Sequence, residues 1–333
     1  MAKVVRFYEY GGPDVLKIVD EDISPPGANE VCIRIEAIGL NRSEAGFRSG
    51  RYIERAELPS KLGYEASGTV DAIGENVEGF EIGDSVCIIP RFSMKEYGVY
   101  AERAIVPASA VIKRPAQLGH LDAAAIWMPY LTAYGALCDV VTLQKGEFVI
   151  ITAASSSVGL AAIEIANRIG AVPIAVTRTN SKRDALLGSG AAHVIVSDEQ
   201  GVVEQINKIT DGKGARLAFD PVSGKAAEQL LQCLSVGGTL MLYGNLSGEK
   251  FTAFPTLGPS IVKGLSMRGY LVFEIMYAPQ RLARAIDFIL SGYEEGYFNP
   301  KISKVFQLEQ IVQAHEYLES NQQIGKVVVE VKK

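Results

Sequence analysis

Hydrophobic and polar positions fall into two rhythms along the chain. Up to about residue 120 the apolar residues alternate. Val31-Cys32-Ile33-Arg34-Ile35-Glu36-Ala37 has period two, the mark of a half-buried strand. Ser67-Gly68-Thr69-Val70-Asp71-Ala72-Ile73 repeats it and stops at Gly74-Glu75-Asn76. Glycine and proline punctuate this half at Gly11-Gly12-Pro13, Pro25-Pro26-Gly27 and Gly83-Asp84. The pattern predicts a small antiparallel barrel or sandwich.

From about residue 122 the rhythm becomes strand, helix, strand. Phe148-Val149-Ile150-Ile151-Thr152 is a short continuous apolar run, as a parallel strand buried on both faces requires. Val158 to Ile169 follows with Val158, Ala162, Ile165 and Ile169 at helical spacing. Val172–Val176, Val194–Val196, Leu217–Phe219 and Leu240–Tyr243 read as further strands, with helix-like runs at Val202–Ile209 and Ala226–Leu234. The alternation predicts a right-handed, doubly wound parallel α/β sheet. Pro173 is awkward in an interior strand but stands near its start. Beyond about residue 267 come two amphipathic helices, around Leu282–Ile289 and Ile311–Leu318, and a closing strand, Val327–Val331. This tail is expected to fold back onto the first domain.

Composition changes the picture little. At 333 residues the chain has room for about two domains. A net charge of −5 gives no reason to expect nucleic acid or an anionic membrane as partner. The N-terminus lacks a signal peptide's apolar core, and no stretch is long enough to span a bilayer. The four cysteines, Cys32, Cys87, Cys138 and Cys233, are too scattered for a disulfide scaffold or a metal knuckle, and a reducing cytoplasm is the expected location.

The chemistry starts at the turn after Phe148–Thr152. A dinucleotide needs a tight turn whose backbone N–H groups approach the pyrophosphate at a helix N-terminus. The turn here runs Ala154-Ser155-Ser156-Ser157-Val158-Gly159, and only the last glycine of G-x-G-x-x-G is present. A serine-rich loop that merely caps its helix would look the same. Further motifs are Tyr10-Gly11-Gly12-Pro13-Asp14-Val15-Leu16, Gly39-Leu40-Asn41-Arg42-Ser43-Glu44, Leu62-Gly63-Tyr64-Glu65-Ala66-Ser67-Gly68, Leu131-Thr132-Ala133-Tyr134 and Ile324-Gly325-Lys326-Val327-Val328. With these the chain resembles, from Val4 to Val331, the zinc-independent quinone oxidoreductases of the medium-chain dehydrogenase/reductase superfamily.

The resemblance implies a GroES-like catalytic domain, residues 1–123 and 267–333, split around a Rossmann domain, residues 124–266, with cofactor and substrate in the cleft between them. Zinc-dependent relatives place metal ligands where this chain has Asn41, Tyr64 and Met128. None of the three is a ligand here, and the lobe that holds a structural zinc is missing, so no metal is expected. Of the three histidines, His315 lies on an apolar helical face and reads as structural.

Cofactor choice is read at the end of the second strand of the parallel sheet. Thr177-Arg178-Thr179-Asn180-Ser181-Lys182-Arg183 contains no acid for a ribose hydroxyl, whereas Arg178 and Lys182, with Thr177 and Ser181, suit the 2′-phosphate of NADPH. A solvated basic loop is the alternative. The resemblance adds Tyr130, Thr132, Gly244, Asn245, Leu271, Phe273 and Lys326 as cofactor contacts. Without zinc, the acceptor should spread the incoming charge, as a quinone or conjugated enone does. Asn41, Tyr52 and Tyr64 are the candidate donors to that charge, although packing would also explain either tyrosine. A zinc-type alcohol dehydrogenase and a cofactor-binding protein with a non-enzymatic role are the competing readings. A homodimer is expected, with the strand near Met267–Leu271 at the sheet edge.

Overall fold

The alternating segment around Ile33 lies inside an eleven-residue strand, Glu30–Leu40, and that strand organises the first unit. Its length lets it serve several neighbours. Glu65–Ile73 pairs along one side, while Lys326–Glu330 and Arg103–Pro107 share the other, each over one half. Ile302–Gln307 lies outside Lys326–Glu330; Ser85–Ile88 and Val111–Lys113 continue beyond Glu65–Ile73. Pairing is antiparallel except between Ile302–Gln307 and Lys326–Glu330. Register shifts at Cys32/Ile33 and Ile35/Ala37 break the Glu30–Leu40 ladder, the usual device for bending a sheet toward closure. A separate hairpin, Ala2–Arg6 with Lys17–Glu21, completes the strands.

The second unit is a six-stranded sheet paired in parallel throughout: Phe148–Ile151, Val172–Thr177, His193–Val196, Ala215–Asp220, Leu234–Leu242 and Ser266–Gly269. In space the order is third, second, first, fourth, fifth, sixth, the doubly wound Rossmann order. Ile150, Ile174, Ile195, Ala218 and Leu240 from five neighbouring strands share one buried cluster with Ile206, Leu230 and Leu231 from the covering helices. Pro173 is accommodated because pairing with the third strand begins only at Ile174.

This computed structural model describes residues 1–198, 201–250 and 258–331. The units are Met1–Met128 with Pro300–Lys333, and Pro129–Asn299. The first boundary lies five residues from the expected one, but residues 267–299 belong to the second unit and not to the GroES-like domain. Two contacts explain it. Ser266–Gly269 is the sixth parallel strand, and Arg168 of the second unit bonds Phe288 O and Ser291 Oγ on the helix Pro279–Glu294. Of the tail, the part from Pro300 onward joins the first unit, with Ile302–Gln307, Ile311–Glu319 and Lys326–Glu330.

Two further elements differ from the sequence reading. Trp127–Tyr134 is a helix that runs into a π-helical turn, Gly135–Val140. It is buried all round, with Trp127, Leu131, Ala133, Ala136 and Leu137 inaccessible, and so carries no amphipathic period. The fifth strand starts at Leu234 and not at Leu240, because it carries Gly237 and Gly238 within it and shifts register against its neighbour. The preceding helix is correspondingly shorter, Gly224–Leu230, ending in a 3-10 turn.

Candidate functional site

In the second unit the first strand ends in the turn Thr152–Ser156, and the helix Ser157–Ile169 begins at once. Ser156 caps it: its Oγ accepts the Gly159 N–H at 3.1 Å. Gly159 is the glycine that cannot be replaced, since a Cβ there would lie 2.5 Å from Ala154 O. Ala153 takes the positive φ of 45° that the turn needs and that glycine would supply at less cost. Asp220, at the end of the fourth strand, accepts bonds from Thr152 Oγ1 and, at 2.6 Å, from Ser223 N. Burial raises its carboxyl against those bonds.

The second strand delivers the basic loop to the same turn. Lys182 Nζ donates to Ser155 Oγ at 3.0 Å, and burial, then the Arg178 charge, lowers its ammonium pKa. Thr177 is buried at the strand end, Arg178 is exposed, and Ser181 Oγ lies 3.0 Å from Thr179 Oγ1. Sequence reasoning thus named two segments that the fold brings together. Gly244 and Asn245 follow the fifth strand, where Leu246 N donates to Pro221 O. Leu271 is exposed, and Phe273 begins the short helix Phe273–Met276. Thr132 is buried, and Tyr130 turns inward: its hydroxyl donates to Glu164 Oε2 at 2.5 Å and its ring packs on Phe298.

In the first unit the donors named from sequence surround a buried polar core. Lys326, 1% exposed, lies 2.5 Å from Glu65 Oε2 and 2.7 Å from Asn41 Oδ1. It is placed with Glu65 and Asn41, where a cofactor contact was expected. Gly39 makes room for it: a Cβ there would stand 2.8 Å from Lys326 Cε and 1.8 Å from Ala124 O. Glu65 Oε1 accepts the backbone N–H of Trp127 at 2.7 Å and of Met128 at 3.0 Å. Asn41 commits both amide protons, to Gly39 O and to Glu44 Oε1, each at 3.1 Å. Tyr64 is fully buried between Tyr52 and Phe92, with ring centroids 6.4 and 5.7 Å away, and its hydroxyl pKa is raised by burial first and then by Tyr52. Tyr52 is only half-buried.

Sequence reasoning missed Glu44 and what joins it. Its carboxylate accepts Tyr64 N at 3.2 Å, Tyr100 Oη at 3.1 Å, and Asn41 N. Tyr100 in turn meets His315, and His315 meets Arg48. One signal was legible: Asn41-Arg42-Ser43-Glu44 has the spacing of a capping box for the helix Arg42–Arg48, which the fold forms. His315 is structural, as its helical position suggested. Among the described residues no three His, Cys, Asp or Glu side chains converge as a metal site would need, and no helix is long and apolar enough to cross a membrane.

Comparison with known proteins places this geometry. Residues 27–116 match the alcohol dehydrogenase GroES-like domain, and residues 157–291 match the zinc-binding dehydrogenase domain. The chain is 30% identical to quinone oxidoreductase of Sus scrofa over 99% of its length and 98% of the relative's. It is 31% identical to quinone oxidoreductase of Pseudomonas aeruginosa, covering 99% of both. The crystal structure of Escherichia coli quinone oxidoreductase complexed with NADPH superposes with a TM-score of 0.91 at 30% identity, over 99% of this chain and all of that one. The GroES-like sheet, the Rossmann sheet and these full-length matches agree, and the chain belongs to the quinone oxidoreductase family of the medium-chain dehydrogenase/reductase superfamily.

Proposed function

We propose that the protein is an NADPH-dependent oxidoreductase that reduces a quinone or an α,β-unsaturated carbonyl without zinc. The observation that carries the reading is the cationic loop after Thr177, tied by Lys182 to Ser155 of the helix-capping turn. The residues fit the group. The turn over residues 154–159 offers a helix N-terminus to a pyrophosphate, with the N–H groups of Ser155, Ser157 and Val158, while those of Ala154, Ser156 and Gly159 hold the turn through Val176 O, Ala153 O and Ser156 Oγ. Thr177, Arg178, Ser181 and Lys182 offer hydroxyls and cations to a 2′-phosphate. Tyr130, Thr132, Gly244, Asn245, Leu271 and Phe273 are assigned to the remainder of the cofactor by family resemblance; Lys326 is left out, being engaged with Glu65 and Asn41. When bound, NADPH supplies the hydride.

The remaining requirement is a donor to the oxyanion that hydride addition creates. Of the three candidates Asn41 and Tyr64 are buried and Tyr52 is half-buried, so we assign the donor role to the Tyr52 hydroxyl, oriented by its contact with Tyr64. A hydroquinone anion or enolate spreads its charge and can be met by such a hydrogen bond, whereas a simple alkoxide calls for stronger stabilisation. Asn41, Tyr64 and Met128 at the positions of the lost ligands support the zinc-free reading.

The free thiols Cys32, Cys87, Cys138 and Cys233 suit a reducing compartment, and we place the protein in the cytoplasm. We also infer a homodimer through the exposed sixth strand of the Rossmann sheet. The functional test is NADPH oxidation against a panel of quinones and enals, with elemental analysis of the same sample. Turnover with no stoichiometric zinc is expected. NADPH binding without turnover of any acceptor would point to a non-enzymatic role. Activity that vanishes with chelator, with about one zinc per chain, would restore the alcohol dehydrogenase reading.

A further inference from the structure

The hydrogen bonds around Glu44 form two chains with a fixed direction. Arg48 Nη1 lies 3.0 Å from His315 Nδ1. A guanidinium only donates, so Nδ1 accepts and the ring proton sits on Nε2. Burial, and then the Arg48 charge, holds the ring down to about 3, so it is neutral. Nε2 is 3.2 Å from Tyr100 Oη and donates to it; Tyr100 must then turn its own proton onto Glu44 Oε2, 3.1 Å away. From the other end Lys326, which also only donates, meets Asn41 Oδ1 at 2.7 Å. That contact fixes the amide so that Nδ2 faces Glu44 Oε1 at 3.1 Å. The backbone N–H groups of Tyr64 and Asn41 complete the set.

Ionised Glu44 satisfies every one of these donors. Protonated Glu44 needs an acceptor, and its bonded partners among the described residues are all donors. Reversing Tyr100 would require His315 Nε2 to accept, which drives the ring proton against Arg48. Reversing Asn41 would press its Nδ2 on the Lys326 ammonium. One added proton therefore leaves a buried polar group mismatched. Burial works in the opposite direction. It pushes the carboxyl up to about 7, against the bond from Asn41, the Lys326 charge and the Tyr64 N–H. The group thus changes charge near neutrality within surroundings that fit only its charged form.

We propose that Glu44 is a positioning residue for the reduction: ionised, it locks Asn41 and the turn Leu62–Tyr64 beneath Tyr52, and protonated, it releases them. This rests on the quinone reductase reading, because Tyr52 bears on turnover only there. The groups around Glu44 are Asn41 and Tyr64, Tyr100 with His315, Arg48 and Glu319 behind it, and Lys326 with its partner Glu65. His315 is held far below neutrality, and burial raises Tyr64 and Tyr100 well above it.

The test compares wild type, Glu44→Gln and Glu44→Asp by pH profiles of kcat and KM with NADPH and a quinone, and by pH-difference infrared spectra. In wild type, kcat should fall as the pH drops through about 7 while the KM for NADPH holds steady. Glu44→Gln should lower kcat about ten- to hundredfold and lose that limb, since a misplacement of about 1 Å can cost about a hundredfold in rate. Glu44→Asp should keep the limb and recover part of the rate. With Glu164, the other carboxyl raised to about 7, replaced by Gln in every sample, the infrared spectra should show a protonated-carboxyl band titrating near neutrality that is missing once Glu44→Gln is added. A Glu44→Gln enzyme with the wild-type limb, or with an unchanged band, overturns the proposal. A wild-type protein inert toward every quinone overturns the functional reading and the positioning role with it, and the infrared band then still separates a titrating Glu44 from a permanently charged one.

Discussion

The 2′-phosphate of NADPH carries close to two negative charges, and a guanidinium can meet two of its oxygens at once. A charge-assisted hydrogen bond contributes about 1.5–3 kcal/mol, and about 1.4 kcal/mol is tenfold in affinity. Arg178→Ala should therefore weaken NADPH binding about ten- to hundredfold and NADH binding much less, read by titration calorimetry at two salt concentrations. Equal losses for both cofactors would mean that Arg178 acts on the adenine or the fold. Lys326 makes the complementary case, a charge placed for structure. Lys326→Met leaves Glu65 buried without its cation, a loss of about 3–5 kcal/mol that should lower the melting temperature. Adding Glu65→Gln should restore much of it, and a single variant as stable as wild type would deny the pair any role. Arg178 and Lys182 were legible because a loop without acids is visible in the sequence itself. The Lys326–Glu65 pair was not: it joins residues 261 apart, and neither local periodicity nor spacing encodes such a contact.

Among the elements, the long helix Ser157–Ile169 carries a half-buried carboxyl that its amphipathic pattern does not announce. Glu164 accepts Tyr130 Oη at 2.5 Å and Asn299 N at 3.1 Å, both on Oε2. Burial pushes it up to about 7 against those bonds, from 4.5 in the unfolded chain. Between these values the folded state holds a proton that the unfolded state has lost, so its contribution to stability is greatest at low pH and is lost as the pH rises toward 7. Glu164→Gln can keep both bonds and lacks the titration. Its melting temperature relative to wild type should climb by a few degrees between about pH 5 and 8, and a constant difference would place the wild-type proton elsewhere. The elements that sequence predicted correctly, such as Phe148–Ile151 and Val202–Ile209, have one strong period or a bounded apolar run. Trp127–Tyr134 escaped because burial on every side erases the period, and the start of the fifth strand escaped because Gly237-Gly238 resembles a break.

At the scale of the whole molecule, the assignment of residues 267–299 shows why domain boundaries are harder to read than elements. The strand expected near Met267–Leu271 at the sheet edge forms at Ser266–Gly269, yet nothing in its four residues shows that the chain as far as Asn299 stays with that sheet. Its place at the edge of the Rossmann sheet has a consequence. All four residues are exposed and, among the described residues, pair only with Leu234–Leu242, so the outer side offers backbone N–H and C=O groups to a further strand. Met267, Leu271, Ile261 and Val262 are 39%, 41%, 65% and 82% exposed, an apolar content unusual for a bare edge. A second copy related by a twofold axis would pair the same strand antiparallel to itself, remove both edges and cover these side chains. The wild-type protein should therefore weigh as a dimer in light scattering at micromolar concentration. Met267→Lys sets two like charges near that axis and should shift the equilibrium toward monomer by at least about tenfold, while binding of NADPH persists. A monomeric wild type would refute the interface. A Met267→Lys protein as dimeric as wild type would move it to another face.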